Sequence, residues 1–423
     1  MQTQLASEYR GTPDGDAAEA ILRRCVHCGF CTATCPTYQL LGDELDGPRG
    51  RIYLIKQVLE GAPPTRKTQE HLDRCLTCRN CETTCPSGVQ YGQLIEIGRR
   101  LVDAKVERPA TEQRTRWMLR EGMTSSGFGT AVKLGQALRP LLPAALKSKL
   151  PPRVSPERQA SAHRWPTRSH ERKVLMLLGC VQPALAPNIN SATARVLDAC
   201  GIQTLVADEV RCCGAVRAHL GDHDKARAEI RRNIDAWWPL VEGVGGATQV
   251  EAIVVNASAC GLMVKEYGQV MADDPAYAER AKRISATARD ISELLPLIAG
   301  PLKSRLGGRL PAGMPKRLTY HPPCTLQHGQ KLRGGVEAAL TELGFDVRLA
   351  ARDSHLCCGS AGTYSILQPT LSTQLRDRKL EALTETEPQT IVSANIGCIQ
   401  HLQSGTNTPV RHWIEVLDDL VGG

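Results

Sequence analysis

No stretch of this 423-residue chain approaches the ~18 consecutive apolar residues that a membrane span needs, and its most apolar runs, 174–178 and 253–255, are only strand-sized. Segment 1–20 is polar and mixed in charge, without the basic start and apolar core of a secretory signal. Together these absences predict a cytoplasmic protein. Aromatic residues are scarce, at 4% with three Phe, and Trp237, Trp238 and Trp413 read as packing anchors rather than quinone stackers. There is no G-x-G-x-x-G, no P-loop and no G-x-S-x-G; the run 243–246 (GVGG) comes nearest but lacks the third Gly at the right offset. The sequence thus offers no motif that would hold FAD or NAD.

What the chain does have is cysteine, 17 in all. In a cytosol that keeps thiols reduced, clustered cysteines point to metal rather than to a disulfide framework. Hydrophobic residues at 42% and charged residues at 23% are ordinary for a globular protein of two or three domains. The net charge of +8 is local. Residues 105–173 carry fifteen Lys/Arg against five Asp/Glu, a balance of +10 that leaves the rest slightly acidic, so no general nucleic-acid surface is predicted.

Two internal repeats organise the chain. The first pairs 24–37 (RCVHCGFCTATCPT) with 74–87 (RCLTCRNCETTCPS). Helical spacing of Ile52, Ile55, Val58 and Leu59, closed by Gly61, predicts a helix over 51–60, and a second follows over 92–106. The second repeat is longer. The apolar run 174–180 (VLMLLGC) answers to 318–324 (LTYHPPC), 211–214 (RCCG) to 356–359 (LCCG), and 253–260 (IVVNASAC) to 391–398 (IVSANIGC). Helical stretches at 192–199, 224–237 and 371–383 alternate with these strands, which predicts two α/β units with parallel sheets related by a pseudo-twofold axis. The expected fold is therefore α+β and multidomain. It comprises a helical ferredoxin-like domain over 1–106, a basic, partly extended connector over 107–173 with one helix near 131–142, and cysteine-rich units over 174–310 and 311–423.

Both copies of the first repeat fit C-x2-C-x2-C-x3-C-P, the run of bacterial ferredoxins whose fourth Cys ligates the other cluster. Three thiolates at x2 spacing wrap one face of a compact cube, and the chain leaves before the fourth, where Pro turns it away. Two [4Fe-4S] clusters are predicted, one on Cys25, Cys28, Cys31 and Cys85, the other on Cys75, Cys78, Cys81 and Cys35. Zinc is the alternative for any C-x2-C, but it has no use for the third interval or the paired Cys-Pro. The 39 residues between the runs look helical, which favours a helical ferredoxin domain over a compact βαβ one.

In the second half, Cys180, Cys212, Cys213 and Cys260 form one set, and Cys324, Cys357, Cys358 and Cys398 the other. Strand-end thiols sit at the functional edge of a parallel sheet and can converge on a metal or redox group. The pattern resembles the cysteine-rich domain of heterodisulfide reductases, which binds unusual iron–sulfur clusters, except that Met263 and His401 replace each closing thiol. A further iron–sulfur cluster, free thiols, a redox-active pair and a plain scaffold all remain open here. Cys200 reads as core, and His321, His328, His355 and His401 are proton-transfer candidates beside the cysteines.

Taken with their flanks (CVHCGFCTATCPTYQLLGDELDGPRGRIYLIKQVLEG, HLDRCLTCRNCETTCPSGV, HPPCTLQHGQKL, DSHLCCGSAGTY), these motifs resemble the glycolate oxidase iron–sulfur subunits over nearly the whole chain. The resemblance implies a complex with FAD-binding subunits that oxidise glycolate to glyoxylate, and also D-lactate. Electrons would leave through this chain to a quinone or other acceptor at the cytoplasmic face of the membrane. It carries the family's cluster ligands onto the eight ferredoxin-type cysteines. A one-electron wire cannot accept a hydride, whereas a flavin can divide one, so the hydride site belongs on a partner. The iron–sulfur subunits of anaerobic glycerol-3-phosphate dehydrogenase and the lactate-utilisation proteins share the same plan, and a zinc-holding assembly scaffold is the non-enzymatic alternative.

Overall fold

The computed structural model of the protein describes residues 1–141, 155–246, 248–307 and 309–422. The N-terminal part is helical. Helix Pro13–Arg24 starts where the Thr12 side chain accepts from the Gly15 N–H, and it buries Ala18, Ile21 and Leu22. Helix Pro48–Leu59 opens on Pro48, whose missing N–H costs nothing at a first helical position, so it begins three residues before the apolar spacing alone predicts. Its stripe of Ile52, Ile55, Val58 and Leu59 packs on helix Tyr91–Lys105, which contributes Leu94, Ile95, Ile97 and Val102. The two helices cross closely at Gly98, where a Cβ would stand 2.5 Å from the Ile55 side chain.

Beyond residue 171 the chain builds two four-stranded parallel sheets of identical order, β2-β1-β3-β4 and β6-β5-β7-β8. The first contains β1 (Arg172–Met176), β2 (Ile202–Leu205), β3 (Ala252–Val255) and β4 (Ala288–Asp290). The second contains β5 (Arg317–His321), β6 (Asp346–Leu349), β7 (Thr390–Ser393) and β8 (Val410–His412). The inner strands β3 and β7 are buried at every position, as parallel strands covered on both faces should be. Helix Asn188–Ala199, between β1 and β2, packs on the last helix of the second unit, Trp413–Val421. Reciprocally, Gly335–Glu342, between β5 and β6, packs on Leu295–Leu306, the helix that follows β4. This exchange is the pseudo-twofold arrangement, and it gives the two units a common core in which Trp413 is wholly buried. Trp237 is likewise wholly buried, in the first unit's own core.

The connector is more helical than the partly extended form expected of it, and the helix expected near 131–142 is Phe128–Leu138. Its described part forms helices Ala110–Thr124, Phe128–Leu138 and Pro156–Ala162; the expected helix end at Leu142, and Pro143, Pro151 and Pro152, lie outside the described residues. The reason is charge pairing that composition alone does not reveal. Arg116 reaches Glu112 at 3.1 Å and Asp73 at 3.2 Å, and Arg108 reaches Asp103 at 2.6 Å. Arg120 meets Asp222 at 3.2 Å, and Glu121 meets Arg217 at 3.0 Å. Much of the basic excess is thus spent on acids of the flanking parts, and the segment fastens the helical part to the first sheet unit.

Candidate metal centres

The two ferredoxin-type runs adopt the same turn. His27 and Thr77 stand at φ 58° and 52°, and Gly29 and Arg79 at 86° and 59°, so each run coils through paired left-handed residues. That coil brings three sulfurs of a run inward together. Cys25 closes helix Pro13–Arg24, and Cys31 lies on the short helix Phe30–Ala33. Gly29 takes its φ of 86° without the strain that a side chain meets in that region. The cavity beneath, about 440 Å³ with its open mouth, is lined by Cys25, Cys28 and Cys31, and by Cys81 and Cys85 of the other run. Burial, followed by the neighbouring sulfurs of Cys25, Cys85 and Cys28, pushes the Cys31 thiol up to about 11.

The second cavity, about 290 Å³, is lined by Cys75, Cys78 and Cys81 of one run and Cys35 of the other. Cys35 is the N-cap of helix Pro36–Leu41, and its Pro36 fixes the first helical turn. Each fourth cysteine therefore sits with the three of the opposite run. Cys81 lines both cavities. The donor set and the room fit an inorganic cluster in each.

The polar surroundings of the second cavity were not legible beforehand. Arg51, 1% exposed, donates to the His71 carbonyl at 2.7 Å, to Thr37 Oγ1 at 3.2 Å and to Asp46 at 3.4 Å. Asp46 is equally buried and also accepts from Arg74 at 2.9 Å, with His71 Nδ1 at 3.1 Å. Thr37 Oγ1 lies 3.3 Å from the Cys35 sulfur, and the Tyr91 hydroxyl donates to the Cys75 sulfur at 3.7 Å. Burial raises the Cys75 thiol, but Arg51, Arg99 and the Thr77 N–H outweigh it and hold it below the ordinary thiol range. The one available signal was a charge four residues before Ile55, on the helix's apolar stripe.

In the first cysteine-rich unit Cys180 follows β1, Cys212 and Cys213 precede Gly214, and Cys260 lies on helix Ser258–Lys265. The hydrogen bond between the Cys180 and Cys212 thiols raises Cys180 and lowers Cys212. Glu229, held by Arg217 at 2.7 Å, is raised to about 7 by burial and then by Cys212. In the second unit Cys324, Cys357, Cys358 and Cys398 are all buried. The backbone N–H of Gly359 donates to the Cys357 sulfur at 3.4 Å, and Gly214 does the same to Cys212, so the repeat extends to the loop geometry. The closing residues turn to other work: Met263 packs near Gly214, and His401 pairs with Ser372 at 3.1 Å. Cys200 contacts the Ile298 carbonyl and packs on the common core, as read. Of the other histidines, His328 is tied to Thr83 at 3.0 Å and to the His355 carbonyl at 2.8 Å.

The second unit covers the second cavity. Leu76 packs with Cys324, Cys357, Tyr364, Leu371 and Leu375, with Cys78 and Leu40 against them. Tyr364 donates to the Arg74 carbonyl at 3.1 Å and Asn80 to the His355 carbonyl at 3.3 Å, while Arg79 pairs with Glu266 of the first unit at 2.9 Å. The first cavity instead faces outward: Cys28 is exposed, and Val26 and Phe30 beside it are 69% and 61% exposed. The first ferredoxin-type site thus lies nearer the surface than the second.

Residues 21–89 match the family of 4Fe-4S dicluster domains, and 174–265 and 318–403 each match the cysteine-rich domain. The chain is 54% identical to the glycolate oxidase iron-sulfur subunit of Escherichia coli K12, over 100% of this chain and 99% of that one. It is 30% identical to a probable glycolate oxidase iron-sulfur subunit of Bacillus subtilis, over 95% and 92%. Lactate utilization protein A of Exiguobacterium is 26% identical across 59% of this chain and 98% of its own.

Proposed function

The chain belongs to the family of glycolate oxidase iron–sulfur subunits, and on that premise we propose that it carries electrons away from a flavin-bearing partner that oxidises glycolate to glyoxylate. Cys25, Cys28, Cys31 and Cys85 hold one [4Fe-4S] cluster, and Cys75, Cys78, Cys81 and Cys35 the other. The observation that carries this reading is the lining of the two cavities, in which each run's fourth sulfur stands with the opposite run's three. Such clusters, when bound, pass single electrons, and this chain's residues supply their thiolates, insulation and charge balance. Arg51 and Arg99 place positive charge beside Cys75, which favours the thiolate form that ligation needs. The hydride leaves the substrate on the FAD subunit, because a one-electron cluster cannot accept a hydride and a flavin can. D-Lactate is a second substrate of the complex, and a membrane quinone its acceptor.

The complex, isolated anaerobically with its flavoprotein, tests this reading. Glycolate is expected to bleach the visible iron–sulfur absorbance within the turnover time of the flavin. Bleaching by glycerol 3-phosphate alone, or the absence of any co-purifying flavoprotein, would overturn it.

Contact with the membrane is proposed at the connector. Trp117, Met118, Leu134 and Leu138 are exposed there, and Leu141 is 82% exposed, beside Arg114 and Lys133. Apolar side chains flanked by basic ones suit shallow contact with anionic headgroups, to which each basic residue adds about 1 kcal/mol. No described helix is long and apolar enough to cross a membrane. Anionic vesicles are expected to blue-shift the fluorescence of Trp117, an effect that Leu134→Asp with Leu138→Asp should abolish. An unchanged spectrum at low salt would assign this surface to a protein partner instead.

A further inference from the structure

Among the thiol sets of the cysteine-rich half, the second differs from the first by one buried side chain. His321 ends β5, is 0% exposed, and has no hydrogen-bond partner on either ring nitrogen. A buried imidazole without a partner forfeits its hydration and gains nothing in return, so an orphan of this kind calls for a missing ligand. Its neighbours say which. A ring nitrogen of His321 and the sulfurs of Cys358 and Cys398 all lie within 4.8 Å of one another, and all three residues are buried. They come from three separate elements: a strand end, the loop before Gly359, and the helix Ile396–Gln403. The register of the sheets supplies an internal control. His321 faces Ser393 on β7, and Cys398 follows five residues later; in the first unit the matching offsets from Val255 and Cys260 put Leu177 in the place of His321.

We propose that the second cysteine-rich unit, and not the first, binds a single divalent transition-metal ion through His321, Cys358 and Cys398. Separation decides between one ion and a cube. Tetrahedral ligands about 2.3 Å from zinc or iron stand about 3.8 Å apart, inside the 4.8 Å limit that holds these three atoms, whereas a cube holds its thiolates on separate corners. Charge supports the count. On binding, the two thiols lose their protons to solvent, and two thiolates balance the charge of the divalent ion. The mixed nitrogen and sulfur donors select zinc or iron(II) over magnesium or calcium. The ion would tie the second unit's loop and helix together directly above the cavity of Cys35, Cys75, Cys78 and Cys81.

Elemental analysis of the intact complex, set against acid-labile sulfide, tests this independently of the ferredoxin-type ligation. The expected result is one metal atom per chain in excess of sulfide, seen as zinc or as a surplus iron. His321→Leu, which installs the residue the first unit already carries there, should lose that one atom and leave sulfide unchanged. His321→Cys should retain it, and Cys180→Ser in the first unit should not affect it. Metal equal to sulfide in the unaltered complex would overturn the proposal, as would retention of the surplus atom by His321→Leu. Should His321→Leu fail to fold, loss of the atom from a folded His321→Cys protein would equally count against it. Bleaching by glycolate does not depend on this ion, so failure here leaves the electron-transfer reading standing.

Discussion

Cys85→Ser is expected to remove the cluster served by Cys25, Cys28 and Cys31, and Cys35→Ser the cluster served by Cys75, Cys78 and Cys81. Each variant should lose about half of the ferredoxin-type iron and half of the visible absorbance, since one ligand in four is gone from one site. The two losses are distinguishable by position. The first cavity opens beside the exposed Cys28, whereas the second lies under the second cysteine-rich unit. The cluster remaining in Cys35→Ser should therefore react quickly with an external chelator or oxidant, and the one remaining in Cys85→Ser slowly. The opposite pattern would mean that each run ligates its own cube.

How much of this was readable beforehand follows the range of the interactions. The shared coil of the two runs is encoded locally, because C-x2-C-x2-C-x3-C-P sets both the turn and the exit of the chain. The paired sheets were legible as well, since the strand and Cys-Cys-Gly repeats run in the same order in both units. The stacking of the second unit on the second cavity was not. It joins Leu76 and Cys78 to Cys324 and Cys357, far apart in sequence, through ordinary apolar contact with no local pattern. The extra helices of the connector were hidden for a related reason: its prolines and basic charge suggested a partly extended linker with one helix, while its arginines find acids such as Asp73 and Asp222 elsewhere in the fold. His321 stood undistinguished among four histidines, because burial without a partner is a property only of the folded chain.

The second large effect is expected at Asp46, a residue the motifs do not include. It is the shared acceptor for Arg51, Arg74 and His71, and both it and Arg51 are 1% exposed. Asp46→Ala would leave the Arg51 guanidinium buried without its counter-charge, a change that costs about 3–5 kcal/mol when one partner of a buried pair is removed. It should also release Thr37, which joins Arg51 to the Cys35 sulfur, so the second cluster should be lost before the first. Asp46→Asn, which retains an acceptor but no charge, should cost less. Asp43→Ala is the control: Asp43 is exposed and only caps the turn Glu44–Asp46, so its loss should cost about 1 kcal/mol. Urea unfolding of the cluster-loaded protein, followed by visible absorbance and by circular dichroism, reads both quantities. Equal stability of the two alanine variants would show that the buried network contributes nothing to the second site.

The most direct measurement is a count of iron, zinc and acid-labile sulfide on the anaerobically purified chain. Two cubes require about eight sulfides with at least as many irons, and a brown chromophore. Stoichiometric zinc with iron and sulfide near zero would contradict the assignment of the eight ferredoxin-type cysteines to iron–sulfur clusters.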